Sequence, residues 1–351
     1  MNTPQNRCHL SPADTVGVPV DELWGRHLLR TPPLRRAGEI ERLARQVQRF
    51  VSLYPYGAWR PGGVITGEMH RQTEALLPLR EMIPPIRRVV QGLLLPPPDG
   101  FTTLLTGAAS WLAVCERLRL PCVDPSVMLR DALNDPRSAM LFLSRWYLPP
   151  RHGGTFGRYP AQLGFVRRWF EERRGEWLSI LDTACGTGEG VYDLALVAAA
   201  SGFPPSRVMI VGETLSAVEV VSAASGVIPH DPGRTARFVP VRQRVLQSGM
   251  LERIIFRQHD LLADQGGDGR HDLILCNGLM GGPVLHDPDL MGQVIDTLAR
   301  RLRRRGILLI ADRFHEGRHR QGGRLVRQVL EQAGFSLIDP GEGIGGVISS
   351  G

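Results

Sequence analysis

Lysine is absent from the sequence: all 42 basic side chains of the 351-residue chain are arginine. Schiff-base catalysis and the phosphate-binding lysine of a P-loop both need an amine that is not there, so both are excluded. Cysteine is scarce as well. Cys8, Cys115, Cys122, Cys185 and Cys276 are odd in number and scattered, with no CxxC pair and no Cys/His cluster at zinc spacing. They read as reduced thiols, and neither a disulfide framework nor a metal site is expected. Long apolar runs are missing. A membrane span needs about 18 residues, and the nearest candidate, Phe101 to Val114, is closed by Glu116 and Arg117. The polar, proline-containing start has no apolar signal core. No membrane insertion and a cytoplasmic location are therefore expected. No run of basic residues is interleaved with aromatics, so no nucleic-acid partner is expected either.

What is present is ordinary for a folded protein, with 42% hydrophobic and 22% charged residues. The length suits two domains. The net charge is +7, and most of the excess lies in the first 150 residues. That balance suits an acidic partner or simple solubility.

Residues 1–20 read as a flexible tail. From Asp21, Leu23, Leu28, Leu29, Ile40, Leu43, Val47 and Phe50 recur at helical spacing, with Pro32-Pro33 as a break. Further helical patterns cover 67–93 and 101–120, punctuated by Pro84-Pro85 and Pro96 to Pro98, and one or two more cover 125–147. Residues 21–150 are thus expected to form an α-helical domain. Around Pro149 to Gly154 the pattern changes to alternating strands and helices. Strands are expected at Ser179–Asp182, Arg207–Gly212, Ile254–Phe256, Asp272–Cys276 and Gly306–Ala311, with a terminal hairpin at Phe335–Ile338 and Gly346–Ser349. Helices are expected between them, including one from about Asp287 to Arg304. Apolar strands alternating with helices imply a parallel, doubly wound sheet over residues 151–351. Arg300, Arg301, Arg303, Arg304 and Arg305 read as a solvated helix end complementing the dipole, with a basic partner site as the alternative.

The loop after the first strand carries the chemistry, because ligands of open α/β sheets bind beyond the carboxyl ends of the strands. It reads Asp182-x-Ala184-x-Gly186-Thr187-Gly188-Glu189-Gly190. Its small residues admit a ligand to the backbone, and the helix that follows offers free N–H groups. A dinucleotide fingerprint would need glycine at Val191. Asp182 and Glu189 would also repel a pyrophosphate. S-adenosyl-L-methionine has no phosphate and carries an ammonium and a sulfonium, so the charges favour it. Glu213 after the second strand suits ribose hydroxyls, and Asp260, with Leu261 beside it after the third, suits an adenine amino group. After the fourth strand, Asn277 is placed to orient an acceptor or to cap a turn.

With these residues in place the chain resembles the chemotaxis receptor glutamate O-methyltransferases of the CheR type. The likeness runs from about Thr155 to Asp312. Thr155-Phe156-Gly157-Arg158 is similar to the family's T-x-F-F-R, and Ala184 to Tyr192 to its A-C-S-T-G-E-E-P-Y. Ser225 to Ile228 is similar to its S-G-I-Y, and Asp260-Leu261-Leu262 to its N-L-L. The resemblance implies a Rossmann-like class I SAM-dependent methyltransferase domain preceded by an all-α domain. It implies Arg158 beside the methionine carboxylate and the reacting methyl, Glu189 on the ammonium, Glu213 on the ribose and Asp260 on the adenine side. Three features depart from the family. The tyrosine after its fourth strand falls on Gly282 or Gly281, the T-x-F-F-R segment is one residue shorter here, and the segment between Ile228 and His259 is too short and too helical for its receptor-docking β-subdomain.

Three functions follow as expectations. The first is methylation of an acidic protein side chain, with a signalling partner engaged through the N-terminal domain. The second is methylation of a small molecule on the same fold. The third is a degenerate SAM-binding signalling module. A carboxylate acceptor is ionised at neutral pH and needs no general base; an amine or hydroxyl acceptor would call on His259 or His286.

Overall fold

A computed structural model describes residues 8–29, 37–53, 66–93, 108, 110–120, 124–148, 154–263, 270–280, 285–312 and 319–348. The chain divides into two compact units. Met1–Gly17, His152–Val227 and Gly233–Gly351 form the first, and Val18–Arg151 with Ile228–Pro232 the second.

The first unit is built on one sheet. Its strands are β1 (His9–Leu10), β2 (Leu178–Asp182), β3 (Val208–Thr214), β4 (Ile254–Gln258), β5 (His271–Leu275), β6 (Leu302–Ile310), β7 (Phe335–Ile338) and β8 (Ile344–Ile348). Their order across the sheet is β1-β4-β3-β2-β5-β6-β8-β7. Strands β4, β3, β2, β5 and β6 run parallel, while β1 and β8 are antiparallel to their neighbours β4 and β6. Every residue of β2 is buried, as a central parallel strand covered on both faces requires. The chain leaves β2 in one direction towards β3 and β4 and later returns to place β5 on its other side. The carboxyl end of β2 is therefore the switch point of a Rossmann-like doubly wound sheet. The expected hairpin forms, but β8 inserts between β6 and β7.

The described elements of the second unit are α1 (Val20–His27), α2 (Ala37–Leu53), α3 (Gly67–Leu76), α4 (Leu79–Leu93), α5 (Trp111–Leu118), α6 (Pro125–Asn134) and α7 (Pro136–Tyr147). The pattern at 125–147 resolves into two helices because each begins at an Asp-Pro step. The Asp124 and Asp135 carboxylates accept the first free amides, from Ser126 at 2.8 Å and Ser138 at 2.9 Å. Pro84-Pro85 does not end a helix, contrary to expectation, and both lie inside α4. Met82, Ile86, Val89, Val90 and Leu93 form a buried stripe along that helix, and tertiary burial of such a stripe outweighs the lost backbone bonds.

Helices α8 (Pro160–Glu172), α9 (Glu189–Ala200), α10 (Ala217–Ser225), α11 (Pro232–Gln247), α12 (Pro288–Arg301) and α13 (His319–Gln332) belong with the sheet. Two further expectations are corrected here. Helix α12 ends at Arg301, so Arg303, Arg304 and Arg305 lie in β6 and not at a helix end. The expected tail is tethered from Cys8 onward. His9 and Leu10 pair with Arg257 and Phe256 of β4, and the Thr15 hydroxyl donates to the Ala224 carbonyl at 2.9 Å. Arg242 donates to the Pro12 carbonyl and the Thr15 hydroxyl. The open backbone groups of edge strand β4 give the segment its partners.

Candidate functional site

The loop between β2 and α9 turns through two left-handed glycines, Gly186 at φ 53° and Gly188 at φ 93°. The two serve different ends. A Cβ on Gly186 would meet nothing within 4 Å, so its left-handed φ is its constraint. A Cβ on Gly188 would lie 2.9 Å from both Ala223 of α10 and Phe256 of β4, so this glycine lets the loop approach both. The loop is pinned below by backbone bonds from Thr183 to Leu275 and from Cys185 to Glu213, each 2.9 Å. Thr187 is buried.

Asp182 ends β2 and is 6% exposed. The Ala184 amide donates to it at 3.2 Å. A Cβ on Gly190 would stand 3.1 Å from its carboxylate, so that glycine admits it to the start of α9. Burial, reinforced by the nearby Glu213 charge, pushes the Asp182 pKa up to about 7. No cation among the described residues pairs with it.

The two glutamates of the site are neutralised. Glu189 accepts from Thr187 at 2.6 Å and from Arg234 of α11 at 3.2 Å, and Arg234 also donates to Thr187 at 2.8 Å. All three side chains are buried. Gly154 closes this knot, since a Cβ there would lie 2.5 Å from Arg234. Glu213 is fully buried inside β3 and not after it. Arg301 donates to it twice, at 2.8 and 2.6 Å, Arg257 at 2.7 Å, and His259 Nδ1 stands 3.3 Å away. Burial works to raise its pKa, but Arg301, with Arg257 and His259, outweighs it and holds the carboxyl below its ordinary value. Neither glutamate stands as the free carboxylate that the sequence suggested.

Asn277, beyond β5, forms a reciprocal amide pair with the buried Gln162 of α8. It donates to Gln162 at 2.7 Å and accepts from it at 3.3 Å. Asp260 is exposed beyond β4, where the Leu262 amide donates to it at 2.9 Å, while Leu261 packs into the core. Arg158 lies over the Tyr159 ring at 4.9 Å, and Gly157 beside it donates to Asp193 of α9 at 2.6 Å. Gly281 and Gly282 lie outside the described residues. The carboxyl edge thus gathers Asp182, Ala184, Gly186 and Asp260, and diverts Glu189, Glu213 and Asn277 to internal partners. Of those partners, Arg234, Arg257 and Gln162 were not singled out from the sequence, and Arg301, read there as part of a solvated helix end, is buried. They come from α11, β4, α8 and α12, and no shared local pattern marks them.

No family model matches the chain, and no curated protein matches it. Solved structures to which it is similar include a TehB-like SAM-dependent methyltransferase from Corynebacterium glutamicum. The identity is 18% over 53% of this chain and 88% of that one, with a TM-score of 0.34. A SAM-dependent methyltransferase from Aquifex aeolicus is 15% identical over 60% of this chain and 96% of that one, with a TM-score of 0.37. PKMT2 from Rickettsia typhi, in complex with AdoHcy, is 16% identical over 46% of this chain and 26% of that one, with a TM-score of 0.30. At these identities and scores no activity passes to this chain, and the strand order and register carry the fold assignment.

Proposed function

We propose that the chain is a methyltransferase using S-adenosyl-L-methionine, held over the carboxyl edge of the sheet beyond β2, β3 and β4. The observation that carries this reading is Asp182, a buried carboxyl at the switch point with no cationic partner among the described residues. A ligand cation would complete it, and the loop beside Gly186 has room for one. Bound there, the cofactor supplies an electrophilic methyl carbon on a sulfonium. Asp182 holds the cationic end and gives up its proton as it does so. The Thr187–Glu189–Arg234 knot fixes the helical end of the loop. Exposed Asp260 would receive the nucleoside end, and Arg158 would hold the methionine carboxylate. The work of the protein is alignment, which in-line displacement chiefly needs.

The acceptor is a carboxylate on a protein, as in the CheR-type family. The loop motif supports that reading. A carboxylate needs no base; of the two histidines that another acceptor would call on, His259 is 7% exposed and turned inward to Glu213, while His286 is exposed. One observation favours a small-molecule acceptor as the second reading: α11 occupies the segment where the family carries its β-subdomain.

Transfer of tritiated methyl into cell extract, split into protein and small-molecule fractions, tests the assignment. Base-labile label in protein is the expected result. Label confined to small molecules establishes the second reading. Calorimetric binding without label leaves a SAM-binding module, and no binding of SAM or its demethylated product defeats the proposal.

A further inference from the structure

A parallel sheet starts all its strands on one edge, and in this unit that edge is lined with arginine. Arg207, Arg253 and Arg270 stand directly ahead of β3, β4 and β5. In β6 the pairing with β5 slips: His271 faces Leu302, yet Leu273 already faces Ile307. The extra residues bulge outward and carry Arg304 and Arg305, both exposed. Arg305 is held at φ 64°, the left-handed region that favours glycine. Among the described residues the acids on this edge are fewer, Glu176, Glu252 and Asp272, and Asp272 is neutralised by Arg303.

The edge also presents an aromatic face. Trp177, immediately ahead of β2, is 50% exposed. It is fixed in place: the Arg303 guanidinium lies 5.4 Å from its ring centroid, and that guanidinium donates to both Asp272 oxygens, at 3.1 and 2.8 Å. Asp272 in turn accepts from the Ser179 amide at 2.8 Å. A half-exposed tryptophan held by two hydrogen-bonded layers is a preorganised platform.

From this juxtaposition we propose that the amino edge of the sheet binds single-stranded nucleic acid, with a base stacked on Trp177 and phosphates on Arg207, Arg270, Arg304 and Arg305. Stacking on an aromatic side chain combined with arginine contacts to the backbone is what a single strand requires. An acidic peptide would answer the charges but leave the ring without a partner. The sequence shows no basic-aromatic run because the sheet assembles this face from positions spread between residues 177 and 305. The face lies at the opposite end of the strands from the Asp182 loop, so both can be occupied at once.

Fluorescence anisotropy with the full chain and a labelled mixed-sequence RNA of about 20 nucleotides, long enough for such a face, tests this. The wild type binds, and binding weakens with salt. W177A weakens it roughly tenfold and W177Y restores most of the loss. The exposed pair R304Q/R305Q lowers the slope of log affinity against log salt by about 1.4, at about 0.7 per phosphate on a single strand. R26Q/R71Q, which removes two exposed arginines of the other unit, leaves the affinity unchanged. Absence of binding by the wild type, equal binding by W177A and R304Q/R305Q, or polyglutamate competing as well as RNA would each overturn the proposal. The last outcome would mark the face as one for acidic proteins.

Discussion

The two edges of the sheet use the same pair of groups, arginine and carboxylate, to opposite ends. Glu213, near the carboxyl end of β3, and Arg301, directly ahead of β6, pair at 0% and 1% side-chain exposure, and Glu189 and Arg234 at the carboxyl edge pair at 6% and 10%. At the amino edge, Asp272 and Arg303 pair at 20% and 40%. Burial decides what such a pair does. A buried pair broken on one side leaves a charge that water cannot reach, whereas a half-exposed pair is screened and contributes little by itself. The carboxyl edge is therefore held by its paired glutamates, and Asp182, without a cation among the described residues, is the group proposed to meet the cofactor. On the amino edge the pair orients Trp177.

The largest effect expected from breaking this contrast is at Glu213. E213Q strands Arg301 in the core and should lower stability by about 4 kcal/mol, measured by urea unfolding. D272N, its half-buried counterpart, should cost about 1 kcal/mol. Equal losses would erase the distinction between the edges.

That distinction was only partly legible in the sequence. The parallel strands were readable because β2 to β6 are apolar runs bounded by turns and helices, and the loop from Asp182 to Gly190 was readable because its glycines sit between a strand and a helix. Strand β1 was hidden, since two residues carry no periodicity and His9–Leu10 takes its conformation from edge strand β4. The arginines at 303–305 looked helical because they follow an amphipathic helix, and a long-range pairing with β5 made them a strand. Glu189 and Glu213 were recognisable as site positions, but their partners lie 45 and 88 residues away, and pairing at that distance has no local signature. Asp182 was named for its place on the loop; its isolation could be seen only once the arginines were located.

Next in size is D182N, which keeps the shape and removes the charge. SAM affinity should fall about 100-fold, the loss of roughly 3 kcal/mol of charge-assisted binding, with little change in melting temperature. A loss confined to stability would instead make Asp182 another structural carboxylate.

The loop glycines sharpen the comparison further. G188A forces a methyl against Ala223 and Phe256 and should cost about 2 kcal/mol or more. G186A meets open space and should cost about 1 kcal/mol through its φ alone. Thermal melts of the two variants measure the difference, and the reverse order would contradict the packing described.

The smallest effect is a pH dependence with two opposing sources. Burial lowers the His271 pKa to about 4, with Arg301 adding to the effect, while its Nδ1 stands 2.8 Å from the Ser179 hydroxyl. The unfolded chain then takes up the proton first as pH falls below about 6.5, so His271 removes stability in that direction. Asp182, raised to about 7, does the reverse: the folded state takes up the proton first, and its contribution is lost as pH rises towards 7. Between about pH 5.5 and 7 His271 opposes Asp182, at roughly 1 kcal/mol each, and Asp193, whose pKa burial raises to about 6, adds to the Asp182 side. H271Q should leave stability rising as pH falls, and D182N should leave it falling. Urea titrations at several pH values read the slopes, and parallel profiles for the two variants would contradict the assignment.

The proposed meeting of Asp182 with the cationic end of the cofactor is tested most directly by calorimetry of SAM binding in buffers of differing ionisation enthalpy. Near pH 7, where Asp182 is about half protonated, wild-type binding should release about half a proton and tighten as pH rises. D182N should bind weakly with no proton release. Tight binding by D182N, or binding by the wild type with no linked proton, would contradict the account.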